Sequence, residues 1–180
     1  MIQIRPILAE EIRAAKHVIL KVAHGIFGWD GGALEDSIRY FEASDEFEDM
    51  DNFQAVYFDR DGLFLVILDS DTVIGSGAIR KIDMEIAELK RMWLLKDYHG
   101  QGIGYRVVQQ LFDFARAKGY KRVYLQTSPE QRRAIHFYQK VGFQEIPSYN
   151  DDEGEISMAI DLNKTNPQTG TSSDRSMENS

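Results

Sequence analysis

The sequence contains no cysteine in its 180 residues. This absence excludes disulfides, cysteine-ligated zinc and a thiol nucleophile, and it is typical of cytoplasmic proteins. The four histidines are scattered and form no His-x-x-x-His pair, so no metal site is predicted. The longest purely apolar run, Leu63 to Leu68, is far too short to span a bilayer, and the first residues show no secretion signal. We therefore expect a cytoplasmic location and no membrane partner.

Positive charge is also scarce. Lysine and arginine number 21 against 29 aspartates and glutamates, which gives a formal net charge of −8. A nucleic-acid surface needs clustered basic residues, so no nucleic-acid partner is expected. The apolar share of 43% suits one domain with a proper core, which we place at residues 1–162. Residues 163–180 are almost all polar and are predicted to form a disordered tail.

The hydrophobic periodicity alternates between the spacing of strands and that of helices. A first helix is expected from Leu8, closed by Gly25, and a later one from Ser128, with Pro129 at its first position. The predicted strands cover residues 2–7, 63–68, 72–80, 86–95, 123–126, 143–146 and 155–162, and the predicted helices cover 8–24, 34–43, 103–118 and 128–140.

One segment carries most of the functional signal. An apolar strand ends at Leu95, a polar turn follows, and Gly100, Gly102 and Gly104 open a periodic helix. Glycine lets a ligand approach the backbone closely, and the first N–H groups of a helix lack internal partners at the positive end of its dipole. Together these features predict a phosphate site. The spacing fits neither the dinucleotide motif Gly-x-Gly-x-x-Gly nor a P-loop.

The string His99-x-x-Gly102-x-Gly104 resembles the (Gln/Arg)-x-x-Gly-x-(Gly/Ala) signature of the GNAT superfamily of acyl-CoA-dependent N-acetyltransferases. Both flanks agree with that family. Ala87 to Met92 resembles the strand that precedes the signature, and Ala134 to Phe143 resembles the segment Ala-x-x-(Phe/Leu)-Tyr-x-x-x-Gly-Phe.

The resemblance covers Ile2 to Leu162 in outline and is detailed from Glu88 to Pro147. It implies the GNAT fold, an α/β (α+β) arrangement in which helices flank a mixed, strongly bent β-sheet whose central strands splay apart to hold acetyl-CoA as co-substrate. It also implies which residues contact this cofactor. These are Met92, Trp93 and Leu94 of the strand, His99, Gly100, Gln101, Gly102, Ile103, Gly104, Tyr105 and Arg106 of the turn, and Gln131 further along.

Two positions of the later helix each allow two interpretations. Gln131 completes a capping box with Ser128, whereas the resemblance places a cofactor-contacting side chain there. Tyr138 lies on an apolar stripe with Ala134 and Val141, which favours a core residue. The resemblance implies instead that the Tyr138 hydroxyl points at the cofactor sulfur and donates a hydrogen bond to the departing thiolate.

The acceptor amine must lose a proton before it attacks, because a free ammonium has a pKa of about 10.4. The resemblance makes Glu88 the base, directly or through a water; the other interpretation is a salt bridge with Lys90 or Arg91. Strand alternation places Glu88 on one face with Lys90, Met92 and Leu94. Since no cysteine can carry the acetyl group, we expect direct attack on the thioester in a ternary complex. Backbone N–H groups near Met92 and Leu94 would polarise the carbonyl.

Histidine at position 99 departs from the Gln/Arg pattern of the family. Either protonation state of its ring keeps at least one N–H, so cofactor binding is expected to survive. The other interpretation is a solvated turn residue.

The acceptor is not specified by the sequence: a small amine, an amino acid, a peptide terminus and a lysine side chain all fit. Between Asp30 and Asp61 there are eleven acidic and two basic residues, which would draw a cationic amine or would form only a solvated loop. Phe27 and Trp29 would wall the acceptor or cap the core. The alternative to an enzyme is an acyl-CoA-binding sensor without catalysis. The oligomeric state stays open, a homodimer included.

Overall fold

The computed structural model describes residues 1–28 and 32–164 of the chain. The strands are β1 (Ile2–Pro6), β2 (Leu63–Asp69), β3 (Thr72–Lys81), β4 (Ile86–Leu94), β5 (Arg122–Thr127), β6 (Gln144–Ile146) and β7 (Ile156–Asp161). The helices are α1 (Ile12–Phe27), α2 (Leu34–Glu42), α3 (Glu48–Asp51), α4 (Phe53–Val56), α5 (Ile103–Lys118) and α6 (Arg132–Val141). All seven strands form one open sheet in the order β1-β2-β3-β4-β5-β7-β6.

The centre of this sheet separates. Strands β4 and β5 are parallel and are paired over three positions only, from Ile86 with Arg122 to Glu88 with Tyr124. Every other neighbouring pair is antiparallel. Beyond Glu88 the two central strands have no ladder between them, which leaves a gap in the middle of the sheet. The predicted mixed sheet with splayed central strands is confirmed.

Helices cover both faces of the sheet. On one face α5 and α6 pack through Val107, Leu111 and Val141 onto the central strands. On the other face α1 and the segment containing α3 and α4 bury Ile19, Met50 and a second apolar cluster. The cleft between β4 and β5 therefore lies between two helical layers.

Strand β4 contains a β-bulge that sequence alternation did not predict. Ser76 pairs with Trp93 and Ala78 pairs with Lys90, so Gly77 alone faces two residues of β4. One of these is Arg91, whose φ of +52° lies in the left-handed region. Because the extra residue reverses the alternation, the predicted single face for Glu88, Lys90, Met92 and Leu94 is wrong.

Side chains at alternate positions before and after the bulge in β4 consequently point to opposite faces of the sheet. Met92 and Leu94 pack against the core that α5 covers. Lys90 shares its face with its cross-strand partner Ala78, which belongs to the cluster under α1. The bulge thus places the apolar Met92 and Leu94 on one face of the sheet and the charged Lys90 on the other.

Two predicted helix limits are wrong. Helix α1 runs through Gly25, which is exposed, and ends at Phe27, because Gly28 takes the left-handed C-cap conformation with φ +58°. Helix α6 begins at Arg132 rather than at Ser128. The residues before it form a separate turn in which the Gln131 N–H donates to the Ser128 carbonyl.

Some predictions fall outside the described residues. Trp29 and Asp30 do, and so does the predicted tail from residue 165 onward, so a domain limit at residue 162 stays a prediction. Within residues 1–28 and 32–164, no helix has both the length and the apolarity that crossing a membrane requires.

Candidate active site

The glycine turn presents an open helix start. Gly100 and Gly102 have φ values of +77° and +74°, and Gly102 is the N-cap of α5. The first N–H that donates back into the helix is that of Arg106, to the Gly102 carbonyl. In the described part of the chain, the N–H groups of Ile103, Gly104 and Tyr105 therefore have no backbone acceptor. A Cβ on Gly102 would meet nothing within 4 Å, so a ligand can lie directly against this turn.

The three segments that resemble the family meet at Gly104. A Cβ at this position would lie 3.5 Å from Cζ of Phe137 in α6 and 3.7 Å from Cε of Met92 in β4. The start of α5 therefore lies beside the far half of β4 and the middle of α6. Met92 and Leu94 pack on the core that contains Ile103, whereas Trp93 packs against the cluster on the opposite face. The cofactor contacts of these residues stay predictions.

His99 does not offer its N–H to a ligand. Its Nε2 lies 2.9 Å from the Leu94 carbonyl oxygen, so Nε2 carries the proton and donates it. Its Nδ1 is buried and has no hydrogen-bond partner in the described residues. The ring therefore ties the turn to the end of β4 and is not a solvated turn residue. Its direct contact with the pyrophosphate stays a prediction.

Gln131 is held by the turn after β5. Its Oε1 accepts from the Thr127 hydroxyl at 2.7 Å and from the Ser128 N–H at 3.3 Å. The second contact is one half of the predicted capping box, but the Ser128 hydroxyl bonds to Glu130, and the helix begins only after Gln131. The capping prediction is therefore wrong in its helix start, and the cofactor contact of Gln131 stays a prediction.

Tyr138 is buried in α6. Its ring packs against the rings of Phe137 and Phe143, with centroid distances of 5.5 and 5.7 Å. Burial raises the pKa of the Tyr138 phenol. A phenol with a raised pKa stays protonated at neutral pH, so the Tyr138 hydroxyl keeps a proton that it can donate in a hydrogen bond. The structure gives it a core environment and leaves its role at the sulfur a prediction.

Glu88 sits in a polar row across the face that α1 covers. Oε2 of Glu88 lies 2.9 Å from Nη2 of Arg80, its cross-strand partner on β3, and Oε1 accepts from the Tyr149 hydroxyl at 3.2 Å. Tyr149 packs against Tyr124, whose ring centroid is 5.1 Å away. Burial and the negative charge of Glu88 raise the pKa of the Tyr149 phenol. The salt bridge predicted for Glu88 exists, but its partner is Arg80 rather than Lys90 or Arg91.

The bulge of β4 is anchored from the acidic segment. Arg91 donates to both carboxylate oxygens of Asp49, at 2.6 and 3.1 Å, and both side chains are only 13% exposed. The Tyr57 hydroxyl donates to the same carboxylate at 2.5 Å, and the Ser76 hydroxyl donates to the Arg91 carbonyl at 2.7 Å. Burial alone would raise the pKa of Asp49, but the Arg91 guanidinium and the Tyr57 hydroxyl lower it. Asp49, Tyr57 and Ser76 thus fix the left-handed backbone of Arg91.

The acidic segment is packed rather than solvated throughout. Phe47, Met50 and Tyr57 are buried. Several of its carboxylates pair with cations from elsewhere in the chain: Asp49 with Arg91, Asp51 with Lys16, and Asp61 with Lys81 and Lys118. The field at the cleft is therefore weaker than the excess of eleven acids over two basic residues suggests.

Arg80, Asp49 and Tyr149 were missed by sequence reasoning. Alternation along β3 could have placed Arg80 opposite Glu88 once the hairpin register was known. No local signal marks Asp49 or Tyr149, because each reaches its partner across a separation of 42 or 61 residues.

A family model described as the acetyltransferase (GNAT) family matches residues 32–143. An uncharacterized N-acetyltransferase of Escherichia coli, YjgM, is 29% identical over 100 residues, which are 54% of this chain and 60% of that protein. The IAA acetyltransferase of Azospirillum brasilense is 42% identical over 82 residues, 44% of this chain and 53% of that protein. The chain thus spans little more than half of the length of these relatives.

Solved structures show the same fold. A GNAT-family acetyltransferase of Staphylococcus aureus superposes with a TM-score of 0.76 at 19% identity, covering 90% of this chain and 99% of the other. The PaiA N-acetyltransferase of Thermoplasma acidophilum, solved in complex with coenzyme A, has a TM-score of 0.68 at 23% identity and covers 89% and 99% of the two chains.

Proposed function

The chain belongs to the GNAT family of acetyltransferases, and we propose that it moves an acetyl group from acetyl-CoA to a primary amine by direct attack in a ternary complex. The observation that carries this proposal is the arrangement around Gly104, where an added Cβ would lie 3.5 Å from Phe137 and 3.7 Å from Met92. It joins the open helix start, where a pyrophosphate would lie, to the gap between β4 and β5, where the thioester would lie.

The cofactor side of the cleft supplies backbone donors. The free N–H groups of Ile103, Gly104 and Tyr105, with the left-handed Gly100 and Gly102, suit a pyrophosphate. Other proposed contacts are the exposed side chains of Gln101 and Arg106 and the amide of Gln131. The β4 backbone at Met92, Trp93 and Leu94 would hold the pantetheine arm, because this part of β4 has no partner on β5. His99 would act indirectly, by fixing the turn.

The reaction requires one proton acceptor and one hydrogen-bond donor. The neutral amine attacks the thioester carbon and forms the C–N bond, and backbone N–H groups beside the bulge stabilise the oxyanion. Glu88 would take the amine proton, directly or through a water. Collapse of the intermediate breaks the C–S bond, and Tyr138 would stabilise the departing thiolate with a hydrogen bond. The thiolate is a fair leaving group, because its parent thiol has a pKa of about 8.5 if it behaves like cysteine.

The acceptor would be a small-molecule or peptide-borne amine, and the acidic segment favours one that arrives as a cation. Glu46 and Glu48 flank the anchored Asp49, and Glu46 touches Arg91 through its carbonyl. Charges in this position would raise the encounter rate of a cation, and salt would screen the effect over about 10 Å at 0.1 M.

Turnover with a mixed amine panel tests this function. Thiol release from acetyl-CoA is followed with and without each amine, and mass spectrometry identifies the acetylated product. Amine-dependent release with a stoichiometric acetylamine is expected. Release that no amine accelerates, or binding of acetyl-CoA without any turnover, would contradict transfer to an amine.

A further inference from the structure

On the face of β3 and β4 that carries charged side chains, one cation has no ion-pair partner among the described residues. Arg80, Lys90 and Arg91 lie close together on β3 and β4. Glu88 pairs with Arg80, and Asp49 pairs with Arg91. In the ranges 1–28 and 32–164, no carboxylate lies within 4.0 Å of the Lys90 ammonium, and no hydrogen bond engages it. A lysine ammonium without an ion-pair partner is unexpected in a chain whose net charge is −8.

Lys90 stands where the two central strands part. The last paired rung of β4 and β5 is Glu88 with Tyr124, and Lys90 is the next residue of β4 on the same face. Beyond Lys90 the bulge at Arg91 turns the following side chains to the opposite face. Lys90 therefore lies where β4 and β5 begin to separate, at the opening of the gap between them.

The environment of Lys90 disfavours an unpaired cation. Burial and the positive charge of Arg80 lower the pKa of the Lys90 ammonium, and the charges of Glu88 and Asp49 offset this only in part. A half-buried cation without a counter-charge is costly, and such groups concentrate at sites that bind a ligand. Its cross-strand neighbour, Ala78, is buried and carries no charge.

We propose that the Lys90 ammonium binds a carboxylate carried by the acceptor, so that the substrate class is amines with a nearby acid group, such as α-amino acids. This inference rests on the proposed function, because it assigns a specificity to the same cleft. Residues two apart on a strand are about 6.6 Å apart, so one small zwitterion spans Lys90 and Glu88. Its amine would meet Glu88 while its carboxylate pairs with the Lys90 ammonium.

Calorimetric titration of matched ligands tests the proposal. The probes are α-amino acids and their carboxamides, which have the same size but lack the negative charge, titrated into the protein with and without saturating coenzyme A. Carboxylates should bind the wild type about 10- to 100-fold more tightly than carboxamides, as a charge-assisted hydrogen bond requires. Lys90→Met should reduce that ratio to about one, and Lys90→Arg should retain most of it. Lys21→Met, the same change on an exposed residue of α1, should leave it unchanged.

The outcomes separate this inference from the proposed function. Equal affinity of both ligand forms for the wild type, no measurable binding of any carboxylate, or a preference that persists in Lys90→Met would overturn the role of Lys90, even if acetyl transfer to some amine is observed. Conversely, failure to bind or consume acetyl-CoA would refute the transfer reaction, while the titrations without coenzyme A would still decide whether Lys90 binds carboxylates.

Discussion

The imidazole of His99 donates its Nε2–H to the carbonyl oxygen of Leu94 at 2.9 Å, and this hydrogen bond joins the end of β4 to the glycine turn. The residue that replaces the usual Gln or Arg of the signature therefore acts on the shape of the turn. Any effect of His99 on cofactor binding should pass through the position of the backbone rather than through a direct contact with phosphate.

His99→Leu should lower stability and cofactor affinity together. The change leaves the Leu94 carbonyl without its donor, at a cost of about 1–3 kcal/mol, or several degrees of melting temperature. His99→Gln, which keeps an N–H of similar reach, should restore both. Thermal melts and coenzyme A titration provide the check. If affinity falls in His99→Leu with no change in melting temperature, the ring contacts the ligand itself.

Asp49→Asn should be strongly destabilising. It leaves the buried Arg91 guanidinium without a counter-charge, which costs about 3 kcal/mol in urea unfolding. Asp51→Asn makes the same change two residues away, where the carboxylate is 59% exposed and pairs with Lys16, and should cost less than about 1 kcal/mol. Similar losses in the two variants would mean that the Asp49–Arg91 pair does not anchor the bulge.

The contribution of Asp49 should also depend on pH. Its pKa is lowered in the folded state, so its stabilisation is present above the unfolded value of about 3.9 and is lost as pH falls through the folded value. The difference in stability between the wild type and Asp49→Asn should therefore be constant near neutral pH and should shrink below about pH 4. A difference that persists unchanged in acid would exclude the charge as its source.

Tyr138→Phe should slow turnover more than it weakens acetyl-CoA binding. We expect a loss of about 100-fold in kcat, the lower end of the range for acid catalysis, because the thiolate leaves readily. Tyr120→Phe is the matched control, since it removes another buried hydroxyl, one that donates to the Asp61 carbonyl. It should reduce stability without changing kcat. With the chemical step rate-limiting, an unchanged kcat in Tyr138→Phe would make Tyr138 a core residue only.

Glu88→Gln should reduce kcat at neutral pH and regain activity in alkaline buffer, where free amine is plentiful. The pH–rate profile is the measurement, and Glu85→Gln, an exposed glutamate paired with Lys121, is the control. Because Glu88 also neutralises Arg80, circular dichroism should accompany the kinetics. A profile parallel to that of the wild type would remove Glu88 as the base and leave it a partner of Arg80.

The sequence predicted those elements whose signal is local. The apolar run of β2 follows from burial on both faces, and the stripe Val107–Leu111 in α5 follows from burial on one face. The structure has β2, β3 and α5 within a residue or two of the predicted bounds. Gly25 misled the prediction because an exposed glycine is tolerated in a helix, and only the left-handed Gly28 stops it. Ser128 misled it because a serine that can cap also suits a turn.

The candidate site was predictable only in part, for a physical reason. The cofactor turn is built from consecutive residues, so its glycines are visible as a motif. The face on which Lys90 lies depends on the bulge at Arg91, and the bulge is held by Asp49, 42 residues away. No periodicity within β4 reports that contact, and this is why Lys90 and Met92 were placed on the same face.

We propose that acetyl-CoA binds against the turn from His99 to Arg106. Titration calorimetry with Gly102→Val and Gly119→Val tests this binding site. Both glycines have a left-handed φ, +74° and +91°, and a Cβ meets nothing within 4 Å at either, but they cap opposite ends of α5. Strain of about 1–2 kcal/mol should therefore be common to both. Acetyl-CoA affinity should fall by about 100-fold or more in Gly102→Val alone, because the side chain occupies the place of the pyrophosphate and its hydrogen bonds are lost. Undiminished affinity in Gly102→Val, or an equal loss in Gly119→Val, would show that acetyl-CoA does not bind against this turn.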